Sequence, residues 1–311
     1  MEVRNLPPDT TNIMEDNKMT YPQDRFAVKP LAAAMALALW TNVGLAAPTP
    51  NQMPGAGRII AVSSGSVGTS QGNVGTNLTG LVSGGGIGID GKVVIRWGGT
   101  GAPVDGTNPQ GFNLGSNATM YFGAIAPNSA VLNIDASGNP SQIYGNLIST
   151  AGQIAAVGPL SACGVCAFAP AIFVANANGI VVGAGGRIVA PAGVGLIGAD
   201  LNNATSIDEF VANNTWAPPG APALGTSYLS FGSLPSAGAT PGLVEIGGAI
   251  NGDFVTNEPA KYIVVAGNNV HVTNTGNLFG AKVVIDAGVV AQTTKASVGG
   301  VTNVAVNRLW N

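Results

Sequence analysis

Charge is scarce in this sequence. Only 9% of its 311 residues are Asp, Glu, Lys or Arg, the net charge is −3, and the basic residues are scattered. No basic stripe exists to track a phosphate backbone, which argues against nucleic acid as a partner. Histidine occurs once, at His271, and cysteine twice, at Cys163 and Cys166, too few to assemble a four-ligand zinc site from these types. Acids are equally thin: ten follow residue 46, and only Asp208 and Glu209 are adjacent. Polysaccharide lyases and hydrolases need carboxylate clusters with Ca²⁺, or paired acids across a glycosidic bond. His271 sits in the alternating run Val270-His271-Val272-Thr273 and reads as a solvent-facing strand residue. No catalytic constellation emerges, and no metal or cofactor is expected.

Helical periodicity is also lacking. The best candidate is Asn203 to Val211, with Thr205 placed to cap and Asp208 and Glu209 suited to a first turn. What the sequence has instead is glycine (46 residues) and runs of Val, Ile and Ala, cut by Gly, Asn, Thr and Ser. An apolar fraction of 46% rules out a disordered chain, and no Gly-X-Y period marks collagen. The pattern predicts an all-β protein of many short strands. Those expected are Gly57 to Val62, Val93 to Trp97, Ala118 to Phe122, Ala130 to Ile134, Ile172 to Ala175 and Ile180 to Val182. Further on come Val194 to Ile197, Leu243 to Ile246, Tyr262 to Ala266, Asn269 to Thr273 and Lys282 to Ala287.

Residues 1–46 read as an extended signal peptide. Arg25 and Lys29 precede the apolar stretch Pro30 to Trp40, and Gly44-Leu45-Ala46 fits cleavage near Ala46. Met14 and Met19 are alternative starts. Residues 47–311 are expected to form a single exported domain. Outside the cytoplasm, Cys163 and Cys166, spaced Cys-Gly-Val-Cys, are expected to close a small disulfide loop.

The last third repeats one grammar. "GLVEIGGAIN", "AKYIVVAGNNVHVTNTGNLFG" and "AKVVIDAGVVAQTT" each place an apolar strand, a Gly or Asn corner, and a second strand. Their spacing of about 20 residues is that of a stacked repeat. It predicts a parallel β-solenoid of roughly ten rungs, at about 20–25 residues each, with aliphatic columns inside and Asn amides laddered at corners. Asn176-Ala177-Asn178-Gly179 is then a corner rather than the hairpin turn that Asn-Gly ordinarily signals. Two Gly- and Pro-rich stretches, Gly98 to Gly111 and Trp216 to Pro241, interrupt the grammar as loops or extra-helical excursions. Gly85-Gly86-Ile87-Gly88-Ile89-Asp90 fits the opening of a calcium-binding nonapeptide, but Lys92 stands where a large apolar residue belongs and no second copy follows.

Three segments in order resemble a known family: "VLNIDASGNPSQIYGNL" from Val131, "IFVANANGIVVGAGGRIVAPAGVGLIGADL" from Ile172, and "IDEFVAN" from Ile207. Together with Val94-Ile95-Arg96-Trp97 and Phe112-Asn113-Leu114-Gly115, they are similar to the amino-terminal domain of filamentous haemagglutinin and related two-partner secretion (TPS) exoproteins. The resemblance implies a right-handed parallel β-helix. It also implies export through the periplasm of a Gram-negative bacterium, and recognition by the POTRA domains of an outer-membrane transporter. Secretion or display at the cell surface follows, commonly as an adhesin that binds a host or cell-surface ligand. The family's motifs map to Asn176, Asn178, Gly179 and Ile180, and to Asn139, Pro140, Ser141 and Gln142. Ala177 replaces the family's proline, no separate Asn-Pro-Asn-Leu motif is present, and the Cys pair precedes the Asn-Gly motif instead of following it. Corner structure alone explains the same Asn, Gly and Pro residues without a partner. The competing functional readings are a fibre built by end-to-end self-association and, less favoured, a β-helix lyase or hydrolase.

Overall fold

The computed structural model describes residues 46–63, 74–152, 155–156, 166–212, 242–253, 258–287, 291–298 and 301–308. The chain divides into two units, Met1–Ala46 and Ala47–Asn311. All of the first except Ala46 lies outside the described residues, as do Cys163 and the whole Trp216 to Pro241 stretch.

The strands of the amino-terminal half are β1 (Gly57–Val62), β2 (Asn77–Leu78), β3 (Gly85–Ile89), β4 (Lys92–Trp97), β5 (Thr119–Ala124), β6 (Ala130–Asp135), β7 (Ser141–Ile143), β8 (Asn146–Ser149) and β9 (Ala155–Ala156). Then follow β10 (Ala171–Ala175), β11 (Ile180–Val182), β12 (Arg187–Val189), β13 (Val194–Gly198) and the helix α1 (Ala204–Ala212). The remainder comprises β14 (Leu243–Ile246), β15 (Ala249–Asn251), β16 (Ile263–Gly267), β17 (Asn269–Val272), β18 (Asn277–Leu278), β19 (Val283–Ala287), β20 (Ala291–Val298) and β21 (Val301–Arg308).

The fold is almost all β and its main sheets are parallel. The first sheet runs β19-β16-β13-β10-β6-β4-β1-β2, the second β17-β14-β11-β7, and the third β18-β15-β12-β8-β5-β3-β9. From β6 onward the chain visits the three in the same order each time: β6-β7-β8, β10-β11-β12, β13-β14-β15, β16-β17-β18, then back to the first sheet in β19. Each strand pairs in parallel with its counterpart one circuit earlier. Among the described residues six parallel strands build the first sheet, so the expected ten or so rungs are too many. The regular period holds only locally. Ile172 lies beside Val194 and Ile263 beside Val283, but Val194 lies beside Ile263, with α1 and a long insertion between them.

Side chains from all three sheets fill one continuous core, with Val93, Val131, Ile172, Val194 and Ile263 in register along the first sheet. The outer face of that sheet is buried too. Val94, Leu132, Phe173 and Val264 form a second apolar cluster, against which Ile207, Phe210 and Val211 of α1 pack. Phe173 meets Phe210 edge-on at 5.9 Å. A parallel sheet covered on both faces reads as an unbroken apolar run, which is why "AIFVA" and "VVI" show no alternation. The helix starts one residue later than expected and has a different cap. Asn203, not Thr205, accepts the Ser206 amide through Oδ1 at 2.9 Å, and Asp208 and Glu209 fall beyond the first turn.

The amino-terminal end departs from the parallel rule. β1 lies antiparallel on β4, and β2 antiparallel on β1. Met53, Leu78 and Leu81 bury the core there. The Gly98 to Gly111 loop is tied to this end through Asp105, whose carboxylate accepts from Gly80 N (3.2 Å), Thr107 N (3.0 Å) and Asn108 N (3.1 Å). It is therefore a clamp more than a free excursion.

Lys92 opens β4 with its ammonium buried and without a hydrogen-bond partner. Loss of solvation pushes its pKa down from 10.5 to about 8. The folded state bears the full cost of that charge below about pH 8, and the cost fades as pH rises towards 10.5, where the unfolded chain also loses its proton. Lys92→Met should therefore stabilise the protein by about 1–3 kcal/mol at neutral pH. Urea unfolding as a function of pH should show the gap between variant and parent closing above pH 10.5.

Candidate functional site

The segment between β10 and β11 is Asn176-Ala177-Asn178-Gly179. β10 belongs to the first sheet and β11 to the second, so the two strands do not pair and Asn-Gly here turns a corner. Asn176 builds that corner from both ends of its amide. Its Oδ1 accepts Asn178 N at 2.8 Å, and its backbone oxygen accepts Gly179 N at 3.1 Å. Gly179 adopts φ +107°, a conformation that favours glycine.

The nitrogen end of the same amide reaches the previous circuit. Asn176 Nδ2 donates to Asn139 O at 2.8 Å and to Ser141 Oγ at 2.9 Å. Ser141 N in turn donates to Gly179 O at 3.0 Å, and Ser141, Gln142 and Ile143 lie in register with Ile180, Val181 and Val182. The two sequence motifs, far apart in the chain, are thus stacked on one another. The next circuit rests on the same spot. A Cβ on Gly242 would stand 2.2 Å from Gly179 N, so that position admits no larger residue.

Beneath the corner lies a chain of buried polar groups. Asp135 accepts from Ser141 Oγ (2.8 Å), Phe112 N (2.9 Å) and Ser137 N (3.0 Å). Asn133 accepts from Trp97 Nε1 at 3.0 Å and donates to Phe173 O at 3.1 Å. The Trp97 ring packs on Phe112 at 5.5 Å. Such a network stabilises only when each member is satisfied, and these groups are. An Asn-over-Asn ladder was the expectation. The register that pairs Ala175 with Ile134 instead sets Asn176 over Asp135, because a carboxylate here gathers the turn's donors while the amide supplies donors of its own.

Burial divides the expected site residues into two sets. Asn176, Ser141, Gln142, Gly179 and Ile180 are buried, whereas Asn139 and Asn178 are exposed and Pro140 is half-buried. The first set locks the corner, and the second is the surface a partner could read. Asp135, with three donors on a buried carboxylate, has no capacity left for acid–base work.

Other candidates lie apart from this corner. His271 Nδ1 is 3.5 Å from Glu245 Oε2 in a solvated pair between neighbouring strands of the second sheet. The Gly85 to Asp90 segment supplies the buried strand β3, and among the described residues no three His, Cys, Asp or Glu gather as metal ligands. Cys166 is disulfide-bonded and lies in an antiparallel bridge with Gly152, close against Gly123. Sequence reasoning passed over Asn133 and Asp135. In "VLNID" they alternate with Leu132 and Ile134, which suggests a polar outer face, yet they point towards the interior because α1 buries the other face.

Comparison of the chain with protein-family models, with curated proteins and with solved structures finds no match.

Asn176→Ala removes two donors and the acceptor that closes the turn, and strands buried partners at Ser141. It should cost about 2–4 kcal/mol, against under about 0.5 kcal/mol for Asn178→Ala, as read by chemical denaturation.

Proposed function

We propose that the chain is a right-handed parallel β-helix that directs export through a POTRA-containing outer-membrane transporter, nucleates folding outside, and serves as a surface adhesin. The observation that carries the proposal is the stacked corner. Asn139-Pro140 and Asn178 are displayed side by side on successive circuits, over a lock formed by Asn176, Ser141 and Asp135. The repeated first–second–third sheet circuit supports a β-helix, and the handedness follows from the strong right-handed preference of parallel crossovers.

In this mechanism residues 1–46 carry the chain into the periplasm as an extended signal peptide. The unfolded chain then pairs with a sheet edge of the transporter by β-augmentation, in which backbone bonds supply affinity and side chains supply selection. Outside, each circuit folds on the one before it. The resulting stack cannot return through the pore. No cofactor enters and no bond is made or broken, so the protein works as a binding and folding module without enzymatic activity.

The test is secretion from a Gram-negative host with and without the transporter. The proposal expects secretion to depend on it, and expects Asn139→Ala combined with Asn178→Ala to lower the secreted amount several-fold while the purified variant melts like its parent. Undiminished secretion without the transporter would overturn it.

A further inference from the structure

The two ends of the stack are finished differently. At the amino-terminal end the antiparallel β1 and β2 close the first sheet, and Met53, Leu78 and Leu81 cover the core. At the other end β19, β17 and β18 are the terminal strands of the three sheets, and β20 and β21 pair with each other. Core positions there open to solvent. Val283 and Ile285 continue the interior columns of Ile263 and Val265, yet they are 39% and 48% exposed, and Val272 and Phe279 are each 38% exposed. A bare edge of this kind is a template for another strand.

We propose that this end is an interface with a second copy of the same chain, joined tail to tail about a two-fold axis at Val284. The strand sequence Lys282-Val283-Val284-Ile285-Asp286 reads as its own complement. Antiparallel pairing of β19 with its mate, centred on Val284, sets residue 282 opposite residue 286 twice, a lysine against an aspartate each time. It also sets Val283 opposite the mate's Ile285, so the exposed core positions cover one another. Cross-strand pairs of opposite charge and of β-branched residues both favour that register. The closed amino-terminal end lacks a matching free edge, so assembly stops at two copies and does not run on into a fibre. The inference goes beyond the export proposal and needs only the three-sheet topology.

Sedimentation of the purified full chain across a range of concentrations tests it. A monomer–dimer equilibrium is expected. Lys282→Asp and Asp286→Lys should each weaken the dimer about tenfold, since each places two like charges opposite each other. Mixing the two variants should restore dimers, because the mixed pair regains both opposite-charge contacts. Circular dichroism of each variant checks that it is folded, and Val284→Thr, which leaves charge unchanged, should dimerise normally. A strictly monomeric parent, open-ended oligomers, or a mixture that dimerises no better than its components would each overturn the proposal.

Discussion

A single circuit of this chain cannot bury its own side chains; it buries them by lying on the circuit before it. Everything else in the structure answers to that constraint. The parallel ladder fixes neighbouring circuits in register, so Val93, Val131, Ile172, Val194 and Ile263 stack as one column although long and unequal stretches of chain separate them. Insertions are tolerated wherever they leave and re-enter at a corner, because the ladder reads only the strands. Thus α1 and the long stretch after it fall between β13 and β14 while β14 still lands beside β11.

Corners are where this arrangement is hardest to satisfy, since the backbone leaves one sheet for another and its polar groups lose their ladder partners. The chain meets the need with short polar side chains in place of ionic pairs. Asn176 closes its own turn with one end of its amide and ties down the previous circuit with the other, and Asp135 gathers three donors at the corner below. Both are local solutions that keep water out without a counter-charge, which fits a sequence so poor in Lys, Arg, Asp and Glu. Lys92 is the exception, a buried ammonium with no hydrogen-bond partner to offset its lost hydration.

Much of this was legible in the residues. Strand positions such as Gly57–Val62, Ile180–Val182 and Leu243–Ile246 were read to the residue, because short Val- and Ile-rich runs bounded by Gly or Asn have few other ways to fold. The two-residue strands β2 and β18 were missed, and so was the Gly-rich β3, whose composition carries no β signal and which is a strand only because β5 lies beside it. The polar corner residues were recognised as a site, but their division into a buried lock and an exposed rim was not, since burial at a corner depends on what the next circuit lays over it.

By itself the sequence determined that the chain is β throughout, that its apolar runs need burial on both faces, and that Asn176 to Gly179 is a turn. Local propensity and composition suffice for those, because they depend on residues a few positions apart. Which faces are inner and outer was decided only by the tertiary structure, as were the antiparallel closure of one end and the exposure of the other. These depend on contacts between segments tens of residues apart, where α1 rather than any strand-local pattern turns Asn133 and Asp135 inward. The same long-range stacking brings Asn139 to Asn176, a meeting that no reading of either motif alone contains.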